Sequence, residues 1–282
     1  MTRGQVVQRV AAHAALVVGS VVALYPVLWV LKMAFSEGRT FASSVSPIPD
    51  AVSLNHFARV VGTTASDGTW LFGRQLMNSL WVSGATTVVG IVVATTAAYA
   101  FSRFRFAGRE STMGAFLVTQ MFPGTMVMIP LYVLLDRLAL LDTWTGLVLV
   151  YSSSALPFCV FMLKGYFDTI PTEIEEAARL DGASRLRIFW SLILPLARPA
   201  IAITALFSFM TAWNEYILAA TFMGRDASYT LPVVLRSYVG ERSADWGAFA
   251  AGAVLVSVPV MVFFLFLEKH LVGGLMQGAV KG

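Results

Sequence analysis

Glu176-Ala177-Ala178-Arg179-Leu180-Asp181-Gly182-Ala183 is the stretch of this sequence best suited to recognition chemistry, and Leu194-Pro195 follows twelve residues after Gly182. Small alanine side chains let a partner backbone approach closely. The acids and arginines around them provide a polar rim. Pro171 stops the preceding segment, and Thr172 with Glu175 has the spacing of a capping box. Glu173, Glu175 and Glu176 occupy a first turn, where the helix dipole favours negative charge. Gly182 can take the left-handed geometry that ends a helix, and Ser184 can cap a second one carrying Arg185 and Arg187. Pro195 and Pro199 precede the next apolar run. The sequence therefore predicts two short helices joined at a glycine over 171–195, shaped to dock another protein. The bland alternative is an amphipathic loop resting on lipid headgroups, but surface-binding helices are usually basic, whereas this one begins acidic.

Reaction chemistry has little material. There is no G-x-x-x-x-G-K-[ST] phosphate loop and no Gly-Lys pair, so ATP is not bound in that manner. Neither H-E-x-x-H nor G-x-S-x-G occurs. His13, His56 and His270 lie far apart, which argues against a histidine metal site. His56 reads as an ordinary surface residue. Cys159 sits alone in an apolar run and reads as a small buried hydrophobe. The expectation is a chain that is not an enzyme, with no metal, no cofactor and no nucleic-acid partner.

The surrounding elements explain why. Of 282 residues, 57% are hydrophobic and only 13% charged, far from the quarter charged that soluble domains show. Uncharged stretches run 10–31, 75–102, 111–135, 143–163, 199–214 and 246–267. About 20 apolar residues cross a bilayer; five gaps reach that length, and the sixth continues past Glu215 through Ala220. The sequence predicts an all-α polytopic membrane protein with six transmembrane helices at about 10–33, 76–101, 112–135, 143–165, 197–220 and 246–268. Residues 1–9 and 271–282 are then short termini on one side. The first span is too long for a signal-peptide core, and no A-x-A-like cleavage site follows it.

Twelve Lys and Arg fall on the side of the termini and eight on the other, with Arg103, Arg105 and Arg109 grouped after the second span. The basic excess assigns the termini and the 171–195 loop to the cytoplasm. Within the third span, Gln120-Met121-Phe122-Pro123-Gly124 interrupts the helix. Broken backbone at membrane depth needs protein or a wet cavity around it, so Gln120, Pro123 and Gly124 are candidates for a gate or path lining. Asn214 and Glu215, near the outer end of the fifth span, are further candidates; an interfacial aromatic belt with a snorkelling acid is the alternative. Residues 36–74 suggest a short surface helix, with Leu54, Phe57, Val60 and Val61 at helical spacing. The other outer loop presents Tyr229, Leu231 and Tyr238 as candidate contacts for an external protein.

The 176–195 segment resembles the "EAA" loop of permease subunits of binding-protein-dependent ABC importers: Glu-Ala-Ala, three residues, Gly, nine residues, Ile, one residue, Leu-Pro. Glu176, Ala177, Ala178, Gly182, Leu194 and Pro195 fit it, with Leu192 at the isoleucine position. Ala97-Ala98-Tyr99-Ala100-Phe101-Ser102-Arg103, Gln120-Met121-Phe122-Pro123, Ala212-Trp213-Asn214-Glu215-Tyr216 and Gly278-Ala279-Val280-Lys281-Gly282 resemble the carbohydrate branch, most of all the smaller permease of maltose/maltodextrin importers. The resemblance implies a type I ABC importer permease (MetI-like) fold in a bacterial or archaeal plasma membrane. It implies a heterodimer with a second permease, a cytoplasmic ATPase dimer that hydrolyses the ATP, and an external sugar-binding protein. It also implies ATPase coupling through Glu176, Ala177, Ala178, Leu180, Asp181, Gly182, Ala183 and Pro195, and a C-terminal ATPase contact at Lys281 and Gly282. Maltose, maltodextrin or a related oligosaccharide such as trehalose is the expected cargo, with glycerol 3-phosphate as an alternative. A stand-alone secondary transporter or channel is the rival reading, but it would want ionisable groups at mid-membrane, and only Glu215 is available.

Overall fold

The computed structural model describes residues 3–38, 46–240 and 244–278. Among them the regular structure is helical: α1 (Arg3–Phe35), α2 (Asn55–Val61), α3 (Leu71–Arg103), α4 (Arg109–Met121), α5 (Gly124–Arg137), α6 (Trp144–Asp168), α7 (Thr172–Leu180), α8 (Arg185–Ile188), α9 (Leu194–Leu196), α10 (Arg198–Trp213), α11 (Ile217–Phe222), α12 (Leu231–Ser237) and α13 (Trp246–Gly278). Four are long and apolar enough to cross a membrane unaided, within α1, α3, α6 and α13. Two bent pairs bring the number to six if each is a single span. The first, α4 and α5, turns by 103°. The second, α8–α9 followed by α10, turns by 78°.

The bends have identifiable chemical causes. Pro123 lacks an N–H and pushes the residue before it out of helical geometry; Phe122 accordingly sits at φ −81°, ψ 125°. The expected third span is therefore an elbow, not a rod. Before α10, Phe189–Ile193 forms a π-helical turn, a local under-winding often found at functional positions; the bend itself falls at Ala197, φ −88°, ψ 5°, just before Pro199, which has no N–H to give. The fifth span was expected to continue through Glu215 to Ala220. Instead α10 stops at Trp213 and a new short helix begins at Ile217.

The chain divides into two compact units, Met1–Phe72 with Val234–Val258, and Gly73–Val233 with Pro259–Gly282. In the first, α1 is apolar all round, and its most apolar stretch has no buried residues. Such a helix has lipid or another chain for its solvent. The short α2 docks at its end, where Phe35 and Phe57 meet at 4.9 Å and Ser53 N–H donates to the Phe35 carbonyl at 2.7 Å. His56, expected on the surface, is only 2% exposed. Its ring lies against Gly247, where any Cβ would collide with it. Arg59 donates to His56 Nδ1 at 2.7 Å and also pairs with Asp245, which caps α13 by accepting from Ala248 N–H at 2.9 Å. The burial follows from contacts nearly two hundred residues away in sequence, which α2's own pattern does not reveal.

The second unit is built around α6. One apolar cluster joins Tyr99, Leu163, Phe167, Ile188, Phe189 and Ile193. Another joins Val82, Leu147, Tyr151, Ala212 and Phe222. Phe158 and Phe207 pack α6 on α10 at 3.9 Å. Gly90 meets Ser208 of α10, close enough that a Cβ would lie 3.0 Å from its Oγ; small residues permit such approach between membrane helices.

Candidate coupling site

The local fold of α7 and α8 follows from a few residues. Asp181 ends α7, and Gly182 takes φ +83°. Ala183 N–H then reaches the Ala178 carbonyl at 2.9 Å and Gly182 N–H reaches that of Arg179 at 3.0 Å. These two bonds make a Schellman motif. Ser184 accepts from Arg187 N–H at 3.3 Å and so opens α8. The capping box expected from Thr172 and Glu175 does not form: Pro171 precedes the helix with no side-chain cap.

Glu175 is used elsewhere. It is 2% exposed, the one buried carboxylate among the described residues. Tyr99 Oη donates to its Oε2 at 2.8 Å, and Arg103 Nε donates to its Oε1 at 2.5 Å. Arg179, one turn on, stands 3.8 Å away. Arg103 Nη2 also donates to the Ile170 carbonyl at 2.9 Å, and its Nη1 to Ser102 Oγ at 2.9 Å. Ser102 Oγ in turn donates to Asp168 at 2.6 Å, where Lys164 also pairs at 2.6 Å. The end of α3, the end of α6 and the body of α7 are thus knotted by one charged network. Around it, the Tyr99 ring packs on Phe189 at 4.9 Å and edge-on to Phe167 at 6.3 Å.

The opposite face of α7 is open. Glu176, Ala177, Asp181 and Gly182 are exposed, and Leu180 is 91% exposed. Ala178 and Ala183 turn partly inward against the apolar cluster, and Pro195 is half-buried. Leu180 thus stands almost fully exposed between Arg179 and Asp181. Lys281 and Gly282 lie outside the described residues.

The path candidates separate into two places. Gln120 and Gly124 line a cavity of about 540 Å³ inside the α4–α5 elbow, with Thr119, Phe116, Ser153 and Ser154. Pro123 makes the elbow. Asn214 and Glu215 lie instead at the α10–α11 break. Asn214 donates to the Met210 carbonyl at 2.9 Å. Glu215 accepts from Tyr151 Oη at 2.9 Å and from the Leu218 and Ala219 amides at 3.0 and 3.1 Å, so its carboxylate stabilises the restart of the helix.

Among the candidate external contacts, Tyr229 and Tyr238 are half-buried. Leu231 is buried, a correction to its expected role, and its N–H donates to Ser79 Oγ at 2.8 Å. The segment before it is clamped by α3: Asn78 donates to the Ala227 and Tyr229 carbonyls, and Gln75 to that of Asp226.

The described residues thus form a helical, polytopic fold with an exposed, internally braced helix between candidate spans. Residues 52–274 match the model of the binding-protein-dependent transport system inner membrane component, and the chain belongs to that family. It is an ABC importer permease of the inner membrane, a transport subunit whose ATPase is separate. The galactooligosaccharides transport permease of Bacillus subtilis is 36% identical over 264 residues, 93% of this chain and 92% of that one. The trehalose transport permease of Mycobacterium tuberculosis is 36% identical over 262 residues, 92% and 93% of the two chains. The maltose/maltodextrin transport permease of Vibrio vulnificus is 36% identical over 290 residues, 96% and 95%. In fold, the chain is similar to a bacterial ABC transporter involved in import of the acidic polysaccharide alginate, with TM-score 0.76, 24% identity, and 95% and 98% coverage. It is also similar to the MetNI methionine ABC transporter, with TM-score 0.60, 16% identity, and 74% and 99% coverage.

Proposed function

We propose that this chain is one half of a heterodimeric permease in an ATP-driven sugar importer, with both termini and the α7–α8 loop in the cytoplasm. A second permease completes the path, an ATPase dimer docks on the exposed face of α7, and an external binding protein delivers the sugar. The observation that carries this reading is the two-sided character of α7. Its inner face is tied by Glu175 to Tyr99 and Arg103 of α3, while its outer face offers Ala177, Leu180 and Asp181 to a partner. Motion of the partner would move α3 and α6 with α7, because a buried, multiply hydrogen-bonded ion pair resists shear. The Gln120–Gly124 elbow and its cavity serve as the gate or path lining, whereas the Asn214–Glu215 break is structural. Lys281 and Gly282 would add an ATPase contact. Tyr229 and Tyr238 would meet the binding protein.

The cargo is an oligosaccharide of the maltose/maltodextrin or trehalose kind. Three relatives of equal identity, named for galactooligosaccharides, trehalose and maltose/maltodextrin, support the class; affinity of the cognate binding protein across a sugar panel would choose among them. The coupling reading is tested by Gly182→Val. A Cβ there meets no neighbouring atom, so the substitution acts through backbone strain at φ +83°, of the order of 1–2 kcal/mol or more for a β-branched residue. The expected outcome is normal membrane insertion with uptake reduced at least tenfold. Normal uptake would contradict the proposed joint.

A further inference from the structure

We propose that the α8 end of the coupling loop holds an anionic phospholipid of the cytoplasmic leaflet, an inference that rests on the sidedness proposed above. Thr96 and Tyr99 of α3, with Arg185, Leu186, Phe189 and Trp190, line a cavity of about 430 Å³. Leu186 is 68% exposed and Trp190 60% exposed, so two large apolar side chains stand beside Arg185 on a surface that no described residue covers. Thr96 and Tyr99 lie seven and four residues before Arg103, where α3 ends. At 1.5 Å per residue that is about 10 and 6 Å into the span. The cavity therefore sits where acyl chain gives way to headgroup, the depth that tryptophan favours.

Charge selects the occupant. Among the described residues, Arg105, Arg109, Arg185, Arg187 and Arg198 have no carboxylate within ion-pairing distance; the ion pairs at this end use Lys164, Arg103 and Arg179 instead. Arg185 lies over the Phe104 ring, 5.3 Å from its centroid, which leaves its guanidinium edge open to a phosphate. Basic pockets beside membrane helices on the cytoplasmic side are the usual sites for anionic headgroups. A soluble ATPase reaches Leu180 on α7 but not a cavity at Thr96 depth within the span. One acyl chain against Leu186, Phe189 and Trp190, with its phosphodiester at Arg185, satisfies both halves of the site. Such a lipid would hold α8 at the membrane surface while α7 projects to the motor.

The test uses the assembled importer in nanodiscs, with Trp190 as reporter. The fluorescence of a Trp190→Phe complex, subtracted from that of the parent complex, isolates the Trp190 signal. Dibrominated phosphatidylglycerol should half-quench this signal at a lower mole fraction than dibrominated phosphatidylcholine. Arg185→Gln should raise the phosphatidylglycerol fraction needed by about fivefold, the weight of one arginine at a charged surface; Arg185→Lys should largely preserve it. Equal quenching by the two lipids overturns the headgroup site. Absence of quenching also overturns it, because protein would then cover Trp190. ATP-driven sugar uptake is read separately with the same complexes reconstituted into sealed proteoliposomes of the same lipid mixtures. Uptake without lipid preference refutes only the lipid site, and lipid preference without uptake refutes only the transport reading.

Discussion

At Glu175, a tyrosine hydroxyl and an arginine converge on one carboxylate that water cannot reach. Arg103 is itself only 8% exposed in its side chain. Removing one member of a buried pair leaves the other charge uncompensated, a loss of about 3–5 kcal/mol. Glu175→Gln should therefore lower the thermal unfolding temperature of the detergent-solubilised complex substantially. Glu176→Gln, one residue on and exposed, should leave that temperature unchanged while weakening ATPase association. Equal stability of the two variants would mean that the network carries no load. Gly247 makes a second residue-scale case. Its Cβ position is filled by the His56 ring, so Gly247→Ala should destabilise by about 1–3 kcal/mol through overpacking. Because the two residues touch, Gly247→Ala with His56→Ala should cost less than the sum of the single changes, read from the same unfolding curves.

At the scale of elements, local signals were legible and distant ones were not. Gly182 and Ser184 act through bonds to residues within five positions, and both play the parts their types suggest. Glu175 had a local partner available in the Thr172 capping pattern, yet Tyr99 and Arg103, more than seventy residues earlier, hold it instead. Nothing in the spacing of 171–176 reveals that competition. The nearest signal was Tyr99 and Arg103 themselves, one turn apart on one helix face at the end of an apolar run. His56 is buried for the same reason, since the residues that cover it lie at the start of α13 and just before it. The proline elbow at Pro123 was visible as a break, but its 103° angle depends on how α4 and α5 pack. Glu215 was conspicuous as an intramembrane acid, and its duty is to restart a helix after a break the hydropathy pattern bridged.

For the whole molecule, the gaps between charges pointed to the four helices long and apolar enough to cross a membrane and to the two bent pairs, because hydrocarbon admits so few alternatives to apolar helices. What the chain lacks is as informative as what it has. It carries no P-loop motif, and its exposed helix α7 is braced against the ends of α3 and α6, the arrangement on which the proposed coupling to a separate ATPase rests. Whether α7 meets the separate ATPase in the cytoplasm decides the proposal. Cys159 is the sole native cysteine and is fully buried, so Leu180→Cys gives a clean target for a membrane-impermeant maleimide. Labelling is expected in inside-out vesicles stripped of ATPase, with protection when the ATPase is restored and no labelling of intact cells from outside. Labelling from outside, or labelling that the restored ATPase leaves unchanged, would contradict it.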